Sequence, residues 1–141
     1  MLNPQITLRP LLETDSDALA QLYVDAYGSD VFASLEAAQR EIYETFQSDY
    51  GKLIPAATLV ATQADELIGC ILTVSSPPWE DVSHLVFVID LFVHPKYRGK
   101  GIGHALLASS LNACPTGKQV GLRVSSENHS AVALYRKMGF N

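Results

Sequence analysis

The chain has 141 residues, which fits one domain of ordinary size and excludes two full domains. Hydrophobic residues make up 48% and charged residues 18%, so the composition is that of a folded protein and excludes intrinsic disorder. Fifteen Asp and Glu against ten Lys and Arg give a net charge of −5, which disfavours binding along a nucleic-acid backbone. We therefore expect residues 1–141 to form a single domain without a nucleic-acid partner.

The first part of the chain is predicted to form a strand and two amphipathic helices. A short alternating strand over residues 5–8 is expected to end before Pro10, because proline cannot donate to a strand ladder. Apolar residues at helical spacing then predict a helix over residues 14–28, and Gly28 is expected to stop it. A second helix is predicted from Ser34 to about Tyr50.

The middle of the chain is rich in residues that favour strands. Residues 57–62 and 67–74 are predicted to form a hairpin with a four-residue loop over 63–66. A cluster of helix and strand breakers over residues 75–81 separates this hairpin from a central strand over 85–93.

The last third of the chain follows a different pattern. A glycine-rich loop precedes a predicted helix over residues 102–111, and a strand over 120–124 and a short helix over 130–138 follow. The resulting order is β-α-α-β-β-β-α-β-α. It predicts an α/β (α+β) fold, with one mixed central sheet flanked by helices.

Two cysteines, Cys70 and Cys114, show no metal-binding spacing, so we expect reduced thiols and no metal site. No apolar run approaches the ~20 residues of a membrane span. The N-terminal residues lack the basic-then-apolar order of a signal peptide. A cytoplasmic protein without a membrane partner is the expectation.

The glycine-rich loop is predicted to bind an anion. Gly99, Gly101 and Gly103 lie between a buried strand and a helix, where backbone amides point out of the helix N-terminus. Glycines there let a phosphate approach those amides closely. Positive charge is added by Lys96, Arg98 and Lys100.

The spacing of this loop excludes two familiar nucleotide sites. It has neither the Gly-Lys-Ser/Thr of a P-loop nor the GxGxxG of a dinucleotide fold. The pattern Arg98-x-x-Gly101-x-Gly103, after a strand and His94-Pro95, resembles the acyl-coenzyme A pyrophosphate loop of the GNAT N-acetyltransferase superfamily.

A second motif carries the same resemblance. Asn128, Ala131, Tyr135 and Gly139 are spaced by three, four and four residues, which places them on one stripe of a helix. Asn128 is a candidate helix cap and amide partner for the cofactor, and Tyr135 presents a phenol. The resemblance covers residues 86–140 at the level of motifs.

The resemblance implies acetyl-CoA as co-substrate and direct attack of an amine on its thioester. The end of the central strand would hold the pantetheine arm, and the glycine-rich loop would hold the pyrophosphate. The implied cofactor-binding residues are Leu91, Phe92, Val93, Arg98, Gly99, Lys100, Gly101, Ile102, Gly103, His104, Asn128 and Tyr135.

Tyr135 resembles the family's acid, which protonates the leaving thiolate. Arg123 stands where some relatives carry a glutamate base, so Asp90, the only acid on the central strand, is the candidate base or amine contact. Strand alternation points Asp90 away from the side of Phe87 and Ile89 unless a bulge re-aims it. A structural acid at Asp90, with ordered water as the base, is the alternative.

The acceptor is expected to be a primary amine of a small molecule or a peptide. Aromatic side chains that could line its pocket are Tyr23, Tyr27, Phe32 and Trp79. The family usually adds two strands after the Gly-Phe at 139–140, so an exposed edge at 120–124 and a homodimer that covers it are expected. The alternative function is a non-catalytic relative that binds acyl-CoA or assembles with a partner.

Overall fold

A computed structural model describes residues 3–28, 34–115, 117–123 and 129–140. This part of the chain forms a mixed sheet with helices packed on both faces. The strands are β1 (Ile6–Pro10), β2 (Lys52–Leu53), β3 (Leu59–Gln63), β4 (Glu66–Ser75), β5 (Val86–Val93) and β6 (Val120–Leu122). The helices are α1 (Ser16–Tyr27), α2 (Leu35–Phe46), α3 (Ile102–Ala113) and α4 (His129–Lys137). The predicted fold class is confirmed.

The sheet opens on one side of β5. Its strand order is β1-β3-β4-β5-β6, with β2 paired to β4. Among the described strands the β5–β6 pair is parallel and all others are antiparallel. Among the described residues, β6 pairs with β5 only over Val86, Phe87 and Val88. The second half of β5 therefore has β4 on one side and no described strand on the other.

Local signals set the ends of the first two helices. Gly28 adopts a left-handed φ of 76°, and its N–H donates to Val24 O at 2.8 Å, which ends α1 as predicted. Ser34 caps α2, because its hydroxyl accepts from the N–H of Ala37 at 3.1 Å. The helix then ends at Phe46 rather than near Tyr50, because the chain turns at Ser48, which has a left-handed φ of 68°.

Two strand predictions were wrong at their ends. β1 continues past Leu8 and includes Pro10 as its last residue, because β1 lies at the edge of the sheet, where a residue without an N–H is tolerated. The hairpin loop is two residues long rather than four. Ala64 and Asp65 both adopt left-handed φ values, 51° and 65°, which suit a tight hairpin turn.

The core lies on both faces of the sheet. Consecutive residues of β4 alternate, so that Cys70 and Leu72 pack beneath α1 and α2, and Ile71 packs beneath α3. Tyr23 of α1 is 1% exposed, and Leu106 of α3 is fully buried. Each such apolar side chain contributes roughly 1.5–3 kcal/mol on burial.

A bulge in β5 changes which side chains face α1. Leu72 pairs with Asp90 and Thr73 pairs with Val88, so Ile89 is an extra residue in β5. Ile89 packs with the α1–α2 cluster, and Asp90 accepts a hydrogen bond from Tyr27 of α1. The bulge thus places the side chains of Ile89 and Asp90 on the same face, toward α1. This is the bulge that the sequence left open as a way to re-aim Asp90.

Candidate active site

A groove of about 600 Å³ lies where β5 loses its partner strand. Its walls come from the end of α1, the second half of β5, the glycine-rich loop with the start of α3, and α4. They are Ala26, Tyr27, Leu91, Phe92, Val93, Tyr97, Arg98, Gly99, Gly101, Ile102, Gly103, His104, Ala131, Leu134 and Tyr135. Of the predicted cofactor-binding residues that the structure describes, all except Lys100 line this groove.

The start of α3 suits an anion. Gly101 is the N-cap residue with a left-handed φ of 84°, and no side chain caps this end of the helix. The amides of its first turn remain available, and the helix dipole favours negative charge there. A Cβ built at Gly99 or Gly101 meets nothing within 4 Å, so these glycines serve the left-handed turn and an open approach rather than close packing.

The cations of the loop are partly engaged within the protein. Arg98 donates from Nε to Val93 O at 3.1 Å and from Nη2 to Ala26 O at 2.7 Å, which ties the end of β5 to the end of α1. Lys100 Nζ lies 5.5 Å from the centre of the Tyr97 ring. Their charge still adds to the positive field at the loop, because exposed cations act over several ångströms.

Tyr135 enters the groove from α4. It is half-buried, and its ring meets Phe140 edge-on with ring centres 6.2 Å apart. Burial, and secondarily the charge of Asp90, raise the pKa of the Tyr135 phenol, so it keeps its proton at neutral pH. Asn128, the other candidate on this stripe, lies outside the described residues.

Asp90 lies behind the groove rather than in its wall. Burial raises the pKa of its carboxyl, while hydrogen bonds from Tyr27, Tyr23 and the Leu91 amide act in the opposite direction. The raising effect dominates. The carboxyl is therefore a better proton acceptor than an exposed aspartate once it is ionised.

A smaller pocket of about 200 Å³ adjoins Asp90 on the α2 side. Its lining residues are Tyr23, Glu41, Thr45, Tyr50, Trp79, Ile89 and Asp90. Of the aromatic residues predicted for an acceptor pocket, Tyr23 and Trp79 lie here, Tyr27 lies in the groove, and Phe32 is outside the described residues.

Sequence reasoning missed Glu41 and Tyr50. Burial raises the pKa of Glu41, and repulsion from the nearby charges of Asp90 and Glu44 raises it further. The helical spacing of Ala38, Ile42 and Glu41 on α2 places Glu41 beside the buried stripe, but only the tertiary packing brings it near β5.

Arg123 is committed to a surface contact. Its guanidinium donates to Asp81 at 2.5 Å and lies 5.9 Å and 5.8 Å from the ring centres of Trp79 and Phe87. It directly follows Leu122, the last residue of β6.

Within the described segments, no helix is both long and apolar enough to cross a membrane. The same segments hold no group of three or more His, Cys, Asp or Glu side chains that could bind a metal ion.

Comparison with known proteins gives the family. The sequence profile of the acetyltransferase (GNAT) family matches residues 16–140. An uncharacterized protein of Mycobacterium leprae is 31% identical over 138 residues, which are 98% of this chain; the chain spans only 35% of that relative's length. The N-alpha-acetyltransferase RimI of Mycobacterium tuberculosis is 30% identical over 135 residues, with 96% of this chain and 78% of that protein covered.

The fold of a solved acetyltransferase agrees as well. The PaiA N-acetyltransferase of Thermoplasma acidophilum, solved in complex with coenzyme A, superposes with a TM-score of 0.69 at 22% identity, covering 96% of this chain and 89% of that one. At this identity the likeness bears on the fold, and the profile match over most of the chain bears on ancestry. The chain belongs to the GNAT acetyltransferase family.

Proposed function

We propose that this protein is an acetyl-CoA-dependent N-acetyltransferase, which transfers the acetyl group to a primary amine of a small molecule or a peptide. The observation that carries the proposal is the groove, which joins an uncapped helix N-terminus, an edge of β5 that has no described partner strand, and a half-buried phenol. The similarity to an N-alpha-acetyltransferase, RimI, supports the choice of an amine as acceptor.

The groove offers a place for each part of acetyl-CoA. The amides at Gly101–Gly103 would bind the pyrophosphate, with Lys100 and Arg98 adding positive charge. The edge of β5 at Leu91 and Val93, which has no described partner strand, would bind the pantetheine arm as a strand would. The acetyl group would then lie between β5 and Tyr135, and the amide of Asn128 would assist by the family resemblance.

The reaction would join the amine nitrogen to the acetyl carbon and break the carbon–sulfur bond. Backbone amides of β5 would stabilise the oxyanion, and Tyr135 would give its proton to the departing thiolate. An ordinary phenol (~10) is a weaker acid than a thiol (~8.5), so this transfer costs about 2 kcal/mol. The burial that raises the pKa of Tyr135 would also raise that of a thiolate in the same groove, so burial does not widen the gap between the two pKa values.

Asp90 is the proposed base. Its carboxyl is the acid that β5 places beside the groove, and its raised pKa narrows the gap to an amine of lysine-like pKa (~10.4). The remaining uphill step is compensated when the neutral amine is consumed by attack on the thioester held in line with it.

The binding half of the proposal is tested by calorimetric titration with acetyl-CoA and CoA. Gly103 lacks a left-handed φ, and a Cβ there would lie 3.8 Å from Leu134, so a side chain fits. In Gly103→Asp the carboxylate suits the helix N-terminus but repels a pyrophosphate, so acetyl-CoA should bind at least about tenfold more weakly. Gly103→Ala, the matched control, should bind almost as tightly as wild type.

The catalytic half is tested by release of CoA in the presence of primary amines and N-terminal peptides. Turnover that Tyr135→Phe lowers by about 10²-fold supports the proposal. Binding of acetyl-CoA without turnover on any acceptor would instead support a non-catalytic acyl-CoA-binding protein. No binding to the folded protein would contradict both.

We also propose that the enzyme is a cytoplasmic homodimer. In the described sheet β6 is the terminal strand and pairs with β5 alone, so its outer edge can accept a strand from a second copy. Both Cys70 and Cys114 are free, as expected in a reducing compartment. Light scattering that gives a monomer at micromolar concentration would contradict the dimer.

A further inference from the structure

The Tyr27 side chain connects the groove to Asp90. Its ring lines the groove, and its hydroxyl donates a hydrogen bond to Asp90 Oδ1. Asp90 itself is absent from the groove wall and lines the smaller pocket instead. The Tyr27 phenol therefore lies between Asp90 and an amine bound in the groove.

Several contacts hold Tyr27 in position. It is the last residue of α1, and the two residues before it are held to β5 and the loop: Ala26 O accepts from Arg98 at 2.7 Å, and Asp25 lies 3.6 Å from His94. Its ring lies 5.9 Å from that of Tyr23 and 5.5 Å from that of Phe92, centre to centre. A hydroxyl held this firmly is preorganised for one proton path.

The surroundings keep Tyr27 neutral. Burial raises the pKa of its phenol far above the ordinary value, and the charge of Asp90 adds to that effect. The phenol therefore retains a proton to donate throughout the working range of the enzyme. A phenolate base at Tyr27 is disfavoured for the same reason.

Other titratable groups also face Asp90. They come from α1, α2, β4 and α4, and none of them is a cation. They are three phenols, one carboxyl and one thiol: Tyr23, Tyr27, Tyr135, Glu41 and Cys70. Among them only Tyr27 and Tyr135 also line the groove. Tyr135 is already assigned to the leaving thiolate, which leaves Tyr27 for the amine.

We propose that Tyr27 relays the proton of the acceptor ammonium to Asp90. The phenolic proton passes to Asp90 Oδ1 while an ammonium proton passes to the Tyr27 oxygen, so the phenol is unchanged and Asp90 ends protonated. The neutral amine then attacks the thioester carbonyl. The inference rests on the proposed N-acetyltransferase function and adds a catalytic residue to it.

The test is the pH dependence of Tyr27→Phe, which keeps the ring and removes the hydroxyl. With an acceptor of lysine-like pKa, kcat at neutral pH should fall by roughly 10²-fold. The deficit should shrink as the pH approaches ~10.4, because the amine then arrives already neutral. It should also be small near pH 8 for a peptide α-amine with a pKa of about 7.7–8.0.

Four further variants make the result specific. Asp90→Asn should show the same pH-relieved deficit, and the double variant should be no worse than either single one, because both act on one path. The deficit of Tyr135→Phe should persist at high pH, because the thiolate still needs a proton. Tyr43→Phe removes a 65% exposed phenol on α2 and should match wild type.

The outcomes separate the relay from the function. Wild-type kcat in Tyr27→Phe at neutral pH, or a deficit that does not change with pH, overturns the relay while leaving an N-acetyltransferase. Calorimetric affinity for acetyl-CoA should stay within about threefold of wild type in Tyr27→Phe; a larger loss overturns the relay in favour of a cofactor contact. No turnover by wild type on any amine overturns the function and the relay together.

Discussion

The guanidinium of Arg98 donates to the carbonyl oxygen of Ala26 at 2.7 Å, across 72 residues of sequence. The same side chain reaches Val93 O at 3.1 Å. One exposed cation thus links the loop that begins the anion site to the last turn of α1, where carbonyls lack helical partners and carry the negative end of the dipole.

Replacing Arg98 should loosen this link. Arg98→Ala removes two charge-assisted hydrogen bonds and should cost about 1–2 kcal/mol in the free energy of unfolding, measured by urea denaturation. Arg98→Lys should recover only part of that, because one ammonium cannot match the two directions of the guanidinium. Arg40→Ala, an exposed arginine on α2, is the control; an equal loss there would contradict the assignment.

The Arg9–Asp15 ion pair should make the free energy of unfolding fall at acidic pH. Arg9 donates from Nη1 and Nη2 to the Asp15 carboxylate at 2.8 and 2.9 Å, and the Leu12 amide donates to it at 2.9 Å. The pKa of Asp15 is therefore lowered, mainly by the Arg9 hydrogen bonds. A lowered carboxyl pKa stabilises the fold above the unfolded value of about 3.9, and this stabilisation is lost as the pH falls through the folded value.

Asp15→Asn should therefore be less stable than wild type at neutral pH, by about 1–3 kcal/mol. The difference should disappear when the pH drops well below about 3.9. The control is Asp17→Asn, at an exposed aspartate two residues further on in the first turn of α1, which should change stability little at either pH. A difference that survives in acid would point to packing rather than ionisation.

Asp90 should behave in the opposite way. Its pKa is raised, mainly by burial, so ionising it costs stability as the pH rises above about 3.9 and through the folded value. Asp90→Asn, whose amide oxygen can still accept from Tyr27, should be more stable than wild type at neutral pH and equal to it in acid. The same variant should lose turnover, as a residue retained for chemistry at the expense of stability would. Thermal melts over a pH series measure the first effect.

The Ser110 hydroxyl should contribute to the stability of the core on the α3 side of the sheet. Its hydroxyl donates to Ala57 O at 2.7 Å and meets Thr73 Oγ1 at 2.9 Å, and it is fully buried. Ser110→Ala leaves both partners without that hydroxyl and should cost about 1–3 kcal/mol. Ser109→Ala is the neighbouring control, and comparable losses in the two variants would argue against the buried network.

Local chemistry made much of the fold predictable. Gly28 stops α1 as expected, and α2 begins at the predicted place, directly after its cap Ser34, because each residue acts through its own backbone or its nearest neighbours. Pro10 was misjudged, since whether a strand is central or at the edge depends on strands far along the chain. The two-residue β2 has no periodicity to detect and is defined only by its pairing with β4.

The candidate site divides in the same way. The glycine turn and the Tyr135 stripe are contiguous motifs, so sequence spacing placed their described residues around one groove; their binding roles stay predictions. The Tyr27–Asp90 contact joins residues 63 positions apart and depends on a bulge in β5 that is defined by its pairing with β4. Nothing in the local pattern of β5 distinguishes a regular strand from a bulged one.

The extra residue at Ile89 makes the site depend on strand pairing as well as on residue identity. If the same residues followed Val88 as a regular strand, alternation would point Asp90 toward α3, away from Tyr27. Deleting Ile89 would instead remove the bulge and leave Asp90 opposite Leu72, still on the α1 face. The chemistry open to Asp90 is therefore set by how β5 pairs with β4 and not by the sequence of β5 alone.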